Sequence, residues 1–305
     1  MPAPTVSIVT ATYNRSGVLR HTIESVLASR FTDFELLVIG DACTDDTEDV
    51  VRSFGDARVQ FVNLAMNAGE QSAPNNEGVR RARGRYVAFL NHDDLWTPEH
   101  LDVCLAAIEE HAADLVFTME LVSYFSSDRW HLTGGAGAYG PWMHVPASSW
   151  LFRRELFDAV GPWRSARELF LAPSHEWIFR AWKQRRKLIG IPRATVVAVS
   201  SGLRKNSYAQ RDAPDNARIA RELHDDPHFV ERALAIAAAR ELARNQRRPV
   251  TGLALSLVKR VLLAAGIHPY SIVHALRHGR RGGFIDRLRG TRGLSPLPRR
   301  GDSNA

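Results

Sequence analysis

The segment that decides the fold is residues 6–41, VSIVTATYNRSGVLRHTIESVLASRFTDFELLVIGD. Two short runs of apolar and β-branched residues, Val6–Ala11 and Phe34–Ile39, flank a stretch with helical periodicity, Val18–Ser29. Such continuous apolar runs are typical of parallel strands that are covered on both faces. Because the order is strand, helix, strand, the segment predicts a βαβ unit at the start of a mostly parallel α/β sheet.

The same alternation continues along the chain. Further strands are predicted at Val59–Leu64, Tyr86–Leu90, Leu115–Thr118, Ser149–Phe152 and Leu188–Val199. Further helices are predicted at Asp45–Phe54, Ala73–Ala82, Pro98–His111, Arg154–Val160 and His175–Arg185, with a glycine-rich loop at 134–141. We therefore expect an α/β domain over residues 1–205, a helical extension over 206–286 and a disordered basic tail over 287–305.

Composition and charge narrow the class of protein. With 305 residues, 45% hydrophobic and 24% charged, the chain has the composition of a soluble globular protein. The two cysteines, Cys43 and Cys104, have no metal-ligand spacing, so a reducing cytoplasm is expected. The N-terminus is predicted to be a strand and not a signal peptide, and no apolar run is long enough to span a membrane.

Polar residues follow three of the predicted strands directly. The clusters are Thr10–Arg15, Gly40–Asp45 and Asn91–Trp96. In doubly wound sheets, ligands bind outside the carboxyl ends of the strands, so these clusters predict one binding site.

Six motifs, in order, carry a resemblance to a known family. They are VSIVTATYNR, the acidic turn after FELLVIG, NAGEQSAPNNEG ahead of ARGRYVAFL, HDDLWTPEHL, RRELFDAVGPW and SHEWIFRAW. With them, residues 5–201 resemble the family-two glycosyltransferases of the GT-A fold. The resemblance implies an inverting enzyme that moves a sugar from a UDP- or dTDP-sugar to an acceptor hydroxyl, in the assembly of cell-surface polysaccharide or glycolipid.

The resemblance also implies a nucleotide site. Asp41 matches the carboxylate that accepts a hydrogen bond from the nucleobase imide, which suits a uracil or thymine N–H. Thr12, Tyr13 and Asn14 match the loop around base and ribose. Two further nucleotide contacts are assigned by the resemblance to Asn76 and His92. The alternatives are that Asp41 caps a helix and that Asn76 shapes the start of one.

A metal site is implied by the same comparison. Asp93 matches the second acid of the family's Asp-x-Asp motif and would hold Mn²⁺ or Mg²⁺ against the donor diphosphate. Asn91 stands at the first acidic position, so Asp94 and Asn91 are assigned supporting roles only. A second departure is Asn75, where many relatives carry an arginine. The alternative for Asp93 and Asp94 is that they form a polar turn ahead of a helix.

The catalytic base implied by the family is Glu176, at the start of a late helix in His175-Glu176-Trp177. The first turn of a helix favours the ionised carboxylate that a base requires. His175 is a supporting candidate. The alternative is an ordinary glutamate that stabilises the first turn.

The C-terminal part is basic, with 20 Lys/Arg against 9 Asp/Glu from Gly202 onward. Apolar residues 252–267 beside clustered arginines predict contact either with an anionic membrane at its inner face, near a glycan or lipid-linked acceptor, or with the catalytic domain or a second subunit. Nucleic acid is not expected, because no recognisable module accompanies the charge. Two other functions stay open: a degenerate domain that binds donors or acts as a scaffold, prompted by Asn91 and Asn75, and a nucleotidyltransferase, which Thr12–Gly17 matches poorly.

Overall fold

The computed structural model describes residues 2–124, 129–199, 205–208, 214–245 and 259–298. The strands in this part are β1 Val6–Thr12, β2 Phe34–Gly40, β3 Val59–Asn63, β4 Tyr86–Phe89, β5 Asp94–Trp96, β6 Leu115–Tyr124, β7 Arg129–Thr133, β8 Gly137–Ala138, β9 Trp150–Arg153 and β10 Leu188–Val199. The helices are α1 Ser16–Leu27, α2 Thr47–Arg52, α3 Ser72–Arg81, α4 His100–Glu110, α5 Arg154–Val160, α6 Pro173–Lys183, α7 Pro214–Asp225, α8 Phe229–Asn245, α9 Pro269–His278 and α10 Gly283–Thr291.

One sheet organises the molecule, in the order β3-β2-β1-β4-β9-β6-β10-β5. Strands β1, β2, β3, β4, β6 and β10 share one direction. Strand β9 runs the opposite way between β4 and β6, and β5 pairs antiparallel with β10 at the edge. The predicted α/β fold with a mostly parallel central sheet is therefore confirmed.

The apolar runs form strands because helices cover both faces of the sheet. Every residue of β1 and β2 is buried. Ile8 packs in one core with Leu19 of α1, and Val9 packs in a second core with Val79 of α3. The alternating sides of each strand thus serve two cores, and the carboxyl ends of the strands stay open for a site.

Helix α3 approaches the sheet most closely at Gly78. A Cβ atom at this position would lie 2.2 Å from Cγ1 and 3.2 Å from Cβ of Val9. Rotating the valine cannot relieve the second contact, so Gly78→Ala is expected to lower the free energy of unfolding by about 1–3 kcal/mol. Urea denaturation measures the change. Gly290→Ala is the control, since nothing lies within 4 Å of its added Cβ; equal midpoints for the two variants would contradict the prediction.

Two elements near the site differ from the prediction. Helix α4 begins at His100 and not at Pro98, because the N–H of Thr97 donates to Thr195 in β10 at 3.0 Å and keeps this residue on the sheet. The segment Asp94–Trp96, for which no strand was predicted, forms strand β5. Its pairing partner is about a hundred residues away in the chain, so local sequence does not reveal it.

The helical extension packs directly on the sheet. Ile219 of α7 and Phe229 of α8 share a buried cluster with Leu95, Leu121 and Val197. Of the apolar segment 252–267, residues 252–258 lie outside the described residues. Among the described helices, none is both long enough and apolar enough to cross a bilayer.

The expectation of a disordered tail from residue 287 is wrong for residues 287–298. Helix α10 continues to Thr291, and the side chain of Arg289 is buried. Arg289 donates to the backbone oxygen of Gly69 at 2.5 Å. The tail is ordered because it is attached to the catalytic domain and not because of its own hydrophobic pattern. Residues 299–305 lie outside the described part.

Candidate functional site

A cavity of about 220 Å³ opens at the carboxyl ends of the parallel strands. Residues from three sources line it: the ends of β1, β2 and β4, the start of α6, and the C-terminal segment. They are Ala11, Thr12, Tyr13, Asp41, Gly69, Glu70, Gln71, Pro74, His92, Ala172, Pro173, Ser174, Tyr208, Phe284, Ile285, Leu288, Arg289, Arg292 and Leu294. The predicted position of the site at the strand ends agrees with this cavity.

Asp41 is held rigidly at the end of β2. One carboxylate oxygen accepts from the N–H of Ala68 at 2.7 Å and the other from the N–H of Gly69 at 2.9 Å. Burial raises the pKa of Asp41, while these two hydrogen bonds and the charge of Arg289 oppose the rise. Because each carboxylate oxygen has a further lone pair, Asp41 can accept another hydrogen bond from a ligand in the cavity.

Two buried polar atoms near Asp41, Oγ1 of Thr12 and Nε2 of His92, have no hydrogen-bond partner in the described residues. The other ring nitrogen of His92 contacts the backbone oxygen of Ala11 at 3.3 Å, and burial lowers the pKa of the imidazole. Buried polar groups are nearly always paired in folded proteins, so these two atoms indicate a polar ligand.

Two residues predicted to contact nucleotide lie elsewhere. The amide of Asn14 bonds to the backbone N–H of Thr44 at 2.8 Å and thereby joins the loops after β1 and β2. The amide of Asn76 makes two hydrogen bonds with the backbone of Trp163, at 2.8 and 2.9 Å. Neither residue lines the cavity, so the structure gives them supporting positions around the site.

Asp93 follows His92 and stands beside the cavity. It interacts electrostatically with His92 and with Tyr208, both of which line the cavity. Asn91 accepts from Gln71 at 3.0 Å and donates to Asp94 at 2.8 Å. These bonds fix the amide of Asn91 between α3 and β5.

Asp94 is fully buried, and its Oδ2 also accepts from the hydroxyl of Ser148 at 2.5 Å. Burial, with a smaller contribution from the negative charge of Asp93, raises the pKa of Asp94 to about 7. A second buried acid that the sequence did not single out, Glu120 on β6, has its pKa raised well above the usual value by burial and by the charges of Asp94 and Asp93. Of these acids, Asp93 is the one suited to bind a cation.

The residues fit a cation that the donor helps to bind. Among the described residues, no group of three or more His, Cys, Asp or Glu side chains has the geometry of a metal cage. Mg²⁺ in nucleotide sites commonly takes only one or two carboxylates and fills its other positions with phosphate oxygens and water. Asp93 meets that requirement once a diphosphate is present.

Glu176 lies in the first turn of α6, just after the residues of this helix that line the cavity. Its carboxylate is not exposed to the cavity. It pairs with Nε of Arg180 at 2.9 Å, and Arg164 lies 3.5 Å away. Arg180 in turn donates to the backbone oxygens of Val160 and Pro162. The structure therefore places Asp41 in the cavity lining and Asp93 next to the lining residue His92, and it holds Glu176 in an ion pair just after the lining residues of α6.

His175 faces away from this chemistry, toward the extension. Its ring meets that of His144 edge-on at 4.8 Å, and burial lowers its pKa to about 3, with smaller contributions from His144, His268 and His274. The half-buried imidazole lies between His144 and the histidines at α9, and it does not line the cavity.

Several lining residues were missed by the sequence interpretation. Glu70 is buried and accepts from Ser72 at the start of α3. Tyr208 stacks at an angle on Tyr13, with 6.2 Å between ring centroids. Arg289 and Arg292 belong to the segment that was expected to be disordered. No local pattern marked these residues, because their place in the site depends on tertiary packing.

Comparisons with known proteins identify the family. The model of glycosyl transferase family 2 matches residues 7–161, about half of the chain, and this stretch contains Asp41 and Asp93. The chain belongs to this family. The C-terminal segment that lines the cavity lies outside the matched stretch.

Two individual relatives match only part of the chain. The chain is 35% identical over 91 residues to the Escherichia coli UDP-Glc:alpha-D-GlcNAc-diphosphoundecaprenol beta-1,3-glucosyltransferase WfaP, covering 30% of this chain and 36% of the relative. It is 31% identical over 156 residues to the succinoglycan biosynthesis protein ExoO of Rhizobium meliloti, covering 50% and 44%. The chain thus spans less than half the length of these two relatives.

The fold has a solved counterpart. The crystal structure of S. aureus TarS in complex with UDP-GlcNAc superposes with a TM-score of 0.57 at 17% identity, covering 95% of this chain and 90% of that chain. The likeness extends past the family-matched stretch into the C-terminal helices. At this identity it establishes the shared fold alone.

Proposed function

We propose that this protein transfers a sugar from a UDP- or dTDP-sugar to an acceptor hydroxyl with inversion, in the assembly of cell-surface polysaccharide or glycolipid. The observation that carries the proposal is the cavity at the strand ends. Asp41 lies there as a fixed hydrogen-bond acceptor, together with the atoms of Thr12 and His92 that have no hydrogen-bond partner in the described residues. Family membership and the names of WfaP and ExoO support the reaction class.

Each side chain has a task in this proposal. Asp41 accepts the imide N–H of the base, and Tyr13 packs on the base or ribose. The diphosphate extends toward Asp93, which would hold Mn²⁺ or Mg²⁺. The cation would stabilise the charge that develops on the departing diphosphate. Glu176 removes the proton of the acceptor hydroxyl after its carboxylate leaves Arg180.

The acceptor is proposed to be a glycan or lipid-linked sugar at the inner face of a membrane. The exposed side chains of Val273 and Leu276 on α9 support this, because Arg277, Arg280 and Arg281 follow them closely. Apolar side chains beside arginines suit an anionic lipid surface.

The first experiment is a donor screen that measures the release of free nucleoside diphosphate with and without Mn²⁺ or Mg²⁺. Metal-dependent release from a UDP- or dTDP-sugar is expected. Tight binding of UDP without turnover of any donor would instead favour the degenerate, donor-binding alternative that Asn91 and Asn75 suggest.

The role of Asp41 is tested by Asp41→Asn. An amide has one acceptor oxygen, so one of the donors among Ala68 N–H, Gly69 N–H and the imide is left unpaired. A lost hydrogen bond to a charged group costs about 1.5–3 kcal/mol, so UDP binding is expected to weaken about 10- to 100-fold by calorimetry. The control is Asp158→Asn, an exposed acid on α5. If both variants bind UDP equally well, Asp41 does not recognise the base.

A further inference from the structure

The C-terminal helix α10 forms one wall of the proposed donor cavity. Phe284, Ile285 and Leu288 contribute apolar surface, and Arg289 and Arg292 contribute the guanidinium groups. Backbone hydrogen bonds attach the segment on two sides: Gly282 N–H donates to Leu169 of the α/β domain at 2.8 Å, and Tyr208 N–H donates to Arg292 at 3.2 Å. A helix so attached is part of the site and not a loose tail.

Arg289 is fixed next to Asp41 through the backbone of one residue, Gly69. The N–H of Gly69 donates to Asp41, and the backbone oxygen of the same Gly69 accepts from Nη1 of Arg289 at 2.5 Å. Nε of Arg289 donates to the backbone oxygen of Ser295 at 2.6 Å. Since a guanidinium carries five N–H groups, others remain for a ligand beside the carboxylate.

A carboxylate beside a guanidinium complements one edge of a nucleobase. Uracil, thymine and guanine each present a ring N–H next to a carbonyl oxygen. Asp41 accepts from such an N–H, and Arg289 donates to the adjacent carbonyl. The pair thus binds both groups of the imide edge, where Asp41 alone binds one.

Arg292 also lines the cavity, near His92. It lies one helical turn after Arg289, with its guanidinium carbon 6.0 Å from the ring centroid of Tyr208, and it interacts electrostatically with His92. Asp93 follows His92 directly, so Arg292 is on the side where the diphosphate would meet the cation. Arginine binds phosphate oxygens with two parallel hydrogen bonds.

We infer that α10 completes the donor site: Arg289 binds the imide edge of the base together with Asp41, and Arg292 binds the diphosphate. This inference rests on the proposed function. It assigns a source for the positive charge that Asn75 cannot supply.

Calorimetry with UDP and with uridine on the full chain separates the two roles. Arg292→Gln is expected to weaken UDP binding about 10- to 100-fold and to leave uridine binding within about twofold, because uridine has no phosphate. Arg289→Gln is expected to weaken the binding of both ligands. The matched control is Arg287→Gln, an exposed arginine on the same helix, which should bind as wild type does.

Loss of the Arg289 contacts to Gly69 and Ser295 could also detach α10. Arg289→Lys tests this, since it keeps a charge and a donor; it should bind UDP more tightly than Arg289→Gln. Arg292 does not make those two contacts, so Arg292→Gln tests the role of α10 independently of them. The melting temperature of each variant shows whether the fold is intact.

The inference is overturned if Arg289→Gln and Arg292→Gln bind UDP as tightly as Arg287→Gln does, or more tightly. Tighter binding would show that α10 obstructs the cavity. In either case the wild-type protein still binds UDP, so only the inference fails and not the proposed function. A wild-type protein that binds neither UDP nor dTDP refutes the proposed function itself, and the inference with it.

Discussion

Replacing Asp93 by asparagine is expected to lower sugar transfer about 10²- to 10³-fold, the range seen when a group that stabilises developing charge is removed. The neighbouring residues Asn91 and Asp94 are poorly suited to take its place. Asn91 is neutral and is held by Gln71 and Asp94. Asp94 bonds to Ser148, and with its pKa raised to about 7 by burial it is largely protonated below neutral pH.

The measurement is nucleoside diphosphate release from the donor while Mn²⁺ or Mg²⁺ is titrated. Removing divalent ions with a chelator should bring wild type to the level of Asp93→Asn and leave the variant unchanged. Asp94→Asn is the matched control, because the amide retains an acceptor for Ser148, and its loss should be under about tenfold. If Asp93→Asn keeps most of its activity and the same dependence on metal, the cation site lies elsewhere.

The parallel half of the sheet was predictable because its signal is local. Strands β1 and β2 are buried on both faces, which demands the continuous apolar runs seen at 6–11 and 34–39. Helix α5 was predicted with the same bounds that the structure has, Arg154–Val160. In each case the amino-acid pattern within the element decides the structure.

The C-terminal segment was not predictable on the same grounds. Its composition is arginine-rich with glycine and proline, and it lacks a long hydrophobic periodicity. Its order depends on contacts such as the Arg289 bond to Gly69, which are 220 positions apart in the chain. No local pattern reports such a contact, so the residues with the most unexpected place in the site come from the part thought to have no structure.

The site residues divide in a similar way. Asp41 and His92 could be placed at the cavity because the carboxyl ends of parallel strands meet at one edge of a sheet. Asn14 and Asn76 match family positions, yet each bonds to backbone, because an amide binds whichever peptide group packs next to it. One signal was present and overlooked: Glu176 and Arg180 are four apart on a helix, the spacing of an ion pair.

Replacing Glu176 by glutamine is expected to lower kcat about 10²- to 10⁴-fold without changing the affinity for UDP, if this carboxylate is the catalytic base. The first turn of α6 places it just after Ala172–Ser174, which line the cavity. The carboxylate must exchange Arg180 for the acceptor hydroxyl. The side chain of Arg164 is 55% exposed and lies 3.5 Å from the carboxylate of Glu176. It can therefore remain a partner of this carboxylate when Glu176 moves.

Arg180→Gln is the variant that distinguishes a base from a structural ion pair. It removes the same pair but leaves the carboxylate in place, so a base at Glu176 predicts a large loss of kcat in Glu176→Gln and a small one in Arg180→Gln. Both variants should lose stability, since each removes one charge of the ion pair between Glu176 and Arg180. Equal and modest losses of kcat in the two variants would show that Glu176 only fixes α6 against Val160 and Pro162, and that another group takes the acceptor proton.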